Sequence, residues 1–167
     1  VPDAGRFRLG SVGILKGQKV SHVAPPAKQV FKLMEDLFGF LRDKGPLSPL
    51  IRACVFHYEL EFIHPFSDGN GRIGRFWQSL ILTRFHKAFE YVPVESQIKE
   101  KQQICYQVLE SCDKKGDSTE FIEFSLETIL GALKDFLDHL KPAPETRHTR
   151  LDLARQEFVD REFSRKE

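Results

Sequence analysis

Twelve residues in the middle of the chain, His64-Pro65-Phe66-Ser67-Asp68-Gly69-Asn70-Gly71-Arg72-Ile73-Gly74-Arg75, do most to limit what it can fold into. Pro65 disfavours helix in its neighbour and two glycines flank Asn70, so the stretch is a break in regular structure. Apolar residues recur at helical spacing on both sides, at Ile51, Cys54, Val55 and Tyr58 before it and at Ile73, Phe76, Trp77, Leu80 and Ile81 after it. The break therefore joins the end of one core helix, near Ile63, to the start of another, near Gly71 or Arg72.

The rest of the chain reads as helices around that joint. The stretch over 5–24 is Gly-rich with β-branched interruptions and, within Gly10 to Val20, a Lys-Gly turn, which predicts a small β-hairpin, and Pro25-Pro26 stop the extended arm and open a helix. Val30, Leu33, Met34, Leu37 and Leu41 share one face of that helix. Gly45-Pro46 ends it, and Ser48-Pro49 restarts the chain as N-cap and first helical residue. Ile98, Cys105, Val108, Leu109 and Cys112 predict one further helix, and Phe121 to Leu140 a long one. The fold class is mainly α, with five or six helices and one hairpin near the N-terminus. The expected divisions are an arm over 1–25, a helical core over 26–141, and a Pro-containing linker with a charged helix over 142–167 that leads toward a further domain. The chain opens on Val1 and not on Met, as expected of a processed protein or a fragment.

Composition removes several classes of function. A formal net charge of +1 supplies no overall field for nucleic acid, so no direct nucleic-acid binding is expected. No apolar run approaches the roughly 20 residues that span a bilayer, and no secretory signal is visible. Cys54, Cys105 and Cys112 are an odd set on helical segments, read as small buried residues in a reducing, cytoplasmic setting.

The break itself carries the chemistry. Gly69-Asn70-Gly71 leads into a helix whose first N–H groups are unpaired and whose dipole is positive there, the recipe for an anion cradle. Arg72 and Arg75 sit in the first turns of that helix and reach the same side. Asp68 could hold Mg²⁺ against a bound polyphosphate. His64 titrates near neutral pH and could act as a base. On residue types alone, the tetrapeptide also reads as an ordinary turn and His64 as a cap on the preceding helix. A calcium loop starting at Asp68 fails, because Ile73 and Ser79 stand where Gly and Glu are needed. Glu61-x-x-His64 and Glu145-x-x-His148 have the spacing of di-iron bundles, but the second copy follows Pro142-Ala143-Pro144 in a polar linker and no further inward glutamates are evident.

The stretch from His64 to Arg75 resembles the full HxFx(D/E)GNGRxxR signature of Fic domain proteins, and the similarity extends over roughly residues 5–140, with Ala53, His57, Glu61 and Ile63 in the approach helix. It implies a Fic-type helical bundle and a protein AMP-transferase, which moves AMP from Mg-ATP to a Ser, Thr or Tyr hydroxyl of a target protein, or of the chain itself. By position, His64 would be the base and Asp68 the Mg²⁺ ligand. Gly69, Asn70 and Gly71 would form the cradle, with Arg72 and Arg75 on the β- and γ-phosphates. Phe66 would anchor the loop, and Val12, Gly13 and Ile14 would be the flap that clamps the target by strand addition. Doc, a kinase relative, has Lys in place of Gly71, so Gly71 favours nucleotide transfer over phosphate transfer. A Tyr pair near the adenine corresponds here to Cys105-Tyr106, which leaves Tyr106 as the adenine-pocket residue. Alternatives within the resemblance are removal of AMP from a modified protein, transfer of another nucleotide or phosphate-linked group, and a nucleotide-binding regulatory module without catalysis. Family members carry an inhibitory helix, [S/T]xxxE[G/N], whose Glu pairs with the second signature arginine. Ser96/Glu100 and Thr119/Glu123 alone have the spacing, and Lys101 and Phe124 follow them, so that helix is expected upstream of Val1 or on a partner, with no glutamate of this chain paired to Arg75.

Overall fold

The computed structural model describes residues 5–16, 19–43 and 45–140, the side chains of 14–16 and 19–21 excepted. Two strands, β1 (Gly13–Lys16) and β2 (Lys19–Val23), form an antiparallel hairpin in which Gly13 faces Val23 and Ile14 faces His22, with a register shift before Leu15. Six helices follow: α1 (Ala27–Arg42), α2 (Pro49–Ile63), α3 (Asn70–Phe85), α4 (Val94–Glu100), α5 (Gln102–Lys115) and α6 (Thr119–Leu140), with a 3₁₀ turn at Lys87–Glu90. Among the described residues no helix is long and apolar enough to cross a membrane. The expected linker and charged helix over 142–167, with Glu145 and His148, lie outside the described residues.

Helix α2 is the axis of the fold, with α1, α3 and α6 packed around it. That explains its composition, since a helix covered on several sides buries residues all around and not along one stripe. Ala53, Cys54, Phe56 and Leu60 are fully buried, and so are the polar His57 and Glu61. One apolar cluster joins α2 to α4, α5 and α6 through Tyr58, Ile98, Leu109, Phe121 and Ile129. A second joins α2 to α1 and α3 through Val30, Met34, Leu37, Phe56 and Leu60, with Trp77 packed 5.2 Å from Phe38 and 5.4 Å from Phe56. The three cysteines are free and buried, and burial pushes the thiols of Cys54 and Cys105 up to about 12.

Three local expectations are corrected. Phe76 is 58 % exposed and not part of the core. Asn70, Gly74, Gln78 and Leu82, spaced by four, are the buried residues of α3, while Ile73, Trp77 and Ile81 are only partly buried on the second cluster. The single helix expected from Ile98 to Cys112 is two, broken at Lys101 (φ −90°, ψ 19°), and both α4 and α5 contribute to the same apolar cluster. Ser48 occupies the N-cap of α2 with Pro49 after it, but its side chain makes no capping bond.

Candidate functional site

Helix α2 ends at His64, which caps it in the left-handed region (φ 49°, ψ 59°) with its N–H on the Leu60 carbonyl at 3.0 Å. Asn70, 2 % exposed, closes the loop that follows: its Oδ1 accepts from the Phe66 N–H at 2.9 Å and its Nδ2 donates to the Phe66 carbonyl at 2.8 Å. Both amide atoms of the Asn70 side chain are thus tied to the loop. Gly69, at φ 87°, makes the turn into α3, where a residue with a Cβ would be strained. Phe66 packs on Phe7 with ring centroids 5.7 Å apart.

The loop opens into a cavity of about 370 Å³. His64, Asp68, Gly69, Asn70, Gly71, Arg72 and Arg75 all line it, so the structure brings together every residue singled out in the central stretch. Val12 and Gly13 of the hairpin also border it, and so does Tyr106, whose hydroxyl accepts from Gln102 Nε2 at 2.7 Å. Cys105, beside Tyr106, turns into the core. Ile14 lies in β1 opposite His22, and its side chain falls outside the described residues.

Charge in the cavity is unevenly satisfied. Asp68 Oδ1 accepts from the Gly69 N–H at 2.7 Å, and its Oδ2 lies 3.2 Å from Arg72 Nη2, both side chains being largely exposed. Arg75 is different: its side chain is 11 % exposed and its buried Nε has no hydrogen-bond partner among the described residues. The carboxylate of Glu95, on α4, stands 3.9 Å from that Nε, too far to accept a hydrogen bond. At that distance the two form a long ion pair without a hydrogen bond, and to that extent the expectation that no glutamate of this chain pairs with Arg75 is corrected. Glu95 does not fit the inhibitory motif, because Tyr91, not Ser or Thr, precedes it by four, and the turn at Lys87–Glu90 brings α4 back against α3.

His64 is half-buried, and burial lowers its pKa against the opposing influence of Glu61, so the imidazole is neutral near pH 7. Its Nδ1 lies 3.3 Å from the Glu61 carbonyl; with the proton there, Nε2 keeps a free lone pair. Among the described residues no group of three or more His, Cys, Asp and Glu could hold a metal ion by itself. Asp68 alone, beside an anion cradle, is the donor set that fits Mg²⁺ carried by a polyphosphate, because Mg²⁺ keeps waters and phosphate oxygens and needs only one or two carboxylates.

Several contacts at the back of the cavity have no signal in the sequence, although His57 and Glu61 themselves belong to the approach helix of the family resemblance. His57 donates through Nδ1 to Gln78 Oε1 at 2.7 Å, and its Nε2 faces the buried Glu61 carboxylate at 3.7 Å. Gly74 makes room for this pair: a Cβ there would meet His57 Cδ2 at 2.7 Å and Glu61 Oε1 at 3.0 Å. Arg8 binds the end of α2 from the N-terminal arm. None of these follows from periodicity, because each depends on which elements become neighbours.

Comparison with known proteins gives a consistent result. A family model described as Fic/DOC family matches residues 1–82. Protein adenylyltransferase fic-1 of Caenorhabditis elegans is 28 % identical over 156 residues, covering 88 % of this chain and 28 % of that protein. Protein adenylyltransferase Fic of Nematostella vectensis is 33 % identical over 124 residues, covering 73 % and 26 %. The chain thus spans about a quarter of the length of these curated relatives. Among solved structures, a Fic family protein from Desulfovibrio desulfuricans G20 superposes with a TM-score of 0.78 at 43 % identity, covering 87 % of this chain and 44 % of that one. Fic-1 from C. elegans, at 23 % identity and a TM-score of 0.59, covering 84 % of this chain and 38 % of that one, shares the fold.

Proposed function

Since the chain belongs to the Fic/DOC family, we propose that it is a protein adenylyltransferase that moves AMP from Mg-ATP to a hydroxyl of a target protein. The observation that carries this reading is Arg75: a nearly buried guanidinium with an unpartnered Nε, lining the same cavity as a neutral His64 and the N-terminus of α3. Burying a hydrogen-bonding group without a partner is costly, and an anion in the cradle would relieve it.

In the proposed reaction the target segment lies along the hairpin at Val12 and Gly13, adding a strand. Its hydroxyl gives its proton to His64 Nε2 as its oxygen bonds the α-phosphorus. The bond from that phosphorus to the bridging oxygen breaks, and pyrophosphate leaves. The N–H groups at the start of α3, with Arg72 and Arg75, hold the β- and γ-phosphates and take up the charge that develops. Mg²⁺, held by Asp68, would supply further neutralisation between the phosphates. Tyr106, hydrogen-bonded to Gln102, would border the base. The relatives' names support AMP as the transferred group. Buried free thiols support a reducing, cytoplasmic location. An inhibitory segment outside these residues, upstream or on a partner, stays part of the proposal, with Arg75 its point of action.

Incubation with ATP labelled at the α- or the γ-phosphate, with cell lysate or the chain alone, tests the reading. Label from the α position only, lost in His64→Ala, is expected. Transfer from γ only would replace the reading with a kinase, and release of AMP from premodified protein without transfer would replace it with a removal enzyme.

A further inference from the structure

Arg8 is among the most buried charged side chains in the fold, 3 % exposed, and it lies outside the cavity. Four of its five guanidinium N–H groups donate to main-chain carbonyls. Nε donates to His64 at 2.7 Å and Nη2 to Ile63 at 3.1 Å; Nη1 donates to Gly10 at 2.8 Å and Nη2 also to Pro25 at 2.6 Å. The Arg8 N–H donates to the Pro65 carbonyl at 2.9 Å, and neighbouring Phe7 packs on Phe66.

Those acceptors fall into two groups. Ile63 and His64 close α2, where carbonyls have no partner within the helix and the dipole is negative, so a cation there is doubly favoured. Gly10 and Pro25 are the two feet of the hairpin, on either side of β1 and β2. One planar fork therefore holds both ends of the hairpin and the last turn of the helix that presents His64. His64 needs such a hold, because its left-handed backbone is unfavourable for a residue with a Cβ and persists only where its surroundings over-determine it.

We propose that Arg8 is a positioning residue for the transfer, fixing the imidazole of His64 and the target-receiving hairpin in one relation to each other. The proposal rests on the adenylyltransferase reading. Arg8 makes no described hydrogen bond to residues 69–75, so its loss separates base from acceptor while leaving the nucleotide cradle in place. Lysine is not a substitute: a single ammonium on a flexible stem cannot span carbonyls on both sides of the fork.

The test is Arg8→Lys in the full chain, read by kcat, by the affinity for Mg-ATP from a fluorescent nucleotide, and by hydrogen–deuterium exchange at residues 10–13 and 60–66. Expected are a kcat at least ~10-fold lower, in the range a misplaced catalytic group produces, nucleotide affinity within about twofold of the parent on the same reasoning, and protection lost in both segments together. A kcat within about twofold of the parent, or kcat and nucleotide affinity falling in parallel, overturns the proposal. So does a variant that fails to fold, which would make Arg8 a requirement of the whole fold. If the parent chain transfers nothing from ATP, the adenylyltransferase reading fails separately. Exchange still decides Arg8's part, since loss of protection in one segment only, or in neither, breaks the proposed link.

Discussion

Gly74→Ala is the perturbation that most directly probes how α2 and α3 fit together. In a helix the substitution by itself stabilises by about 1 kcal/mol, because alanine loses less backbone freedom. At position 74 the added methyl would stand 2.7 Å from His57 Cδ2, 3.0 Å from Glu61 Oε1 and 3.1 Å from His57 Nε2. None of these is a free side-chain end. The His57 ring is held by the 2.7 Å bond to Gln78 and by an edge contact with Phe121 at 5.3 Å. Overpacking a core costs ~1–3 kcal/mol, and breaking a buried hydrogen bond to move the ring adds ~1–3 kcal/mol. With the helix gain subtracted, the net expectation is destabilisation by about 3 kcal/mol, or ~6–12 °C in Tm for a chain of this size. Gly39→Ala is the matched control, because nothing lies within 4 Å of a Cβ at that position of α1. It should stabilise by ~0.5–1 kcal/mol. Urea unfolding of both variants followed by circular dichroism decides the matter, with equal midpoint changes, or a gain in Gly74→Ala, refuting the reasoning.

Glu95→Gln removes the carboxylate that stands 3.9 Å from Arg75 Nε; because Glu95 is half-exposed and its contact long, Mg-ATP affinity measured by calorimetry should rise by no more than ~5-fold, and a larger gain would mean that Glu95 acts as a strong internal brake. His22 bonds Asp113 through Nδ1 and the Phe62 carbonyl through Nε2 at 2.8 Å. Burial lowers its pKa, but Asp113 and the carbonyl outweigh that and leave it raised, so the stabilisation is fully present below about pH 6.5 and is lost as pH rises through the raised value. Asp113→Asn should therefore cost more stability at pH 6 than at pH 9, and a difference independent of pH would contradict this. Burial lowers the pKa of His64, so the transfer rate should rise with pH through a midpoint below about 6.5 and be level by pH 7.5; a rate still climbing through pH 8 would show a protonated imidazole.

Much of the molecule was legible from local pattern. The loop from His64 to Gly69 and the start of α3 are dictated by Pro65 and Gly69 together with the helical periodicity on either side, which are properties of adjacent residues and of backbone sterics. The same holds for the hairpin, the start of α2 at Ser48-Pro49 and the length of α6. Where prediction failed, competing tertiary contacts were the cause. Phe76 reads as core from its hydrophobicity, yet the close approach of α3 to α2 over Gly74 rotates it outward. The break at Lys101 has no proline or glycine to announce it.

By itself, then, the sequence determined the class of fold, the glycine turn at the head of α3 and the proposed set of groups around it, because each depends on residues within a few positions of one another. The tertiary structure alone decided what surrounds them. It set Glu95 opposite Arg75, buried Glu61 and His57 beneath the glycines, and brought Arg8 from the start of the chain onto the carbonyls of Ile63 and His64. Those contacts join residues of different elements, and their energies depend on burial and on the direction of particular donors. Neither exists until α1, α3 and α6 have closed around α2.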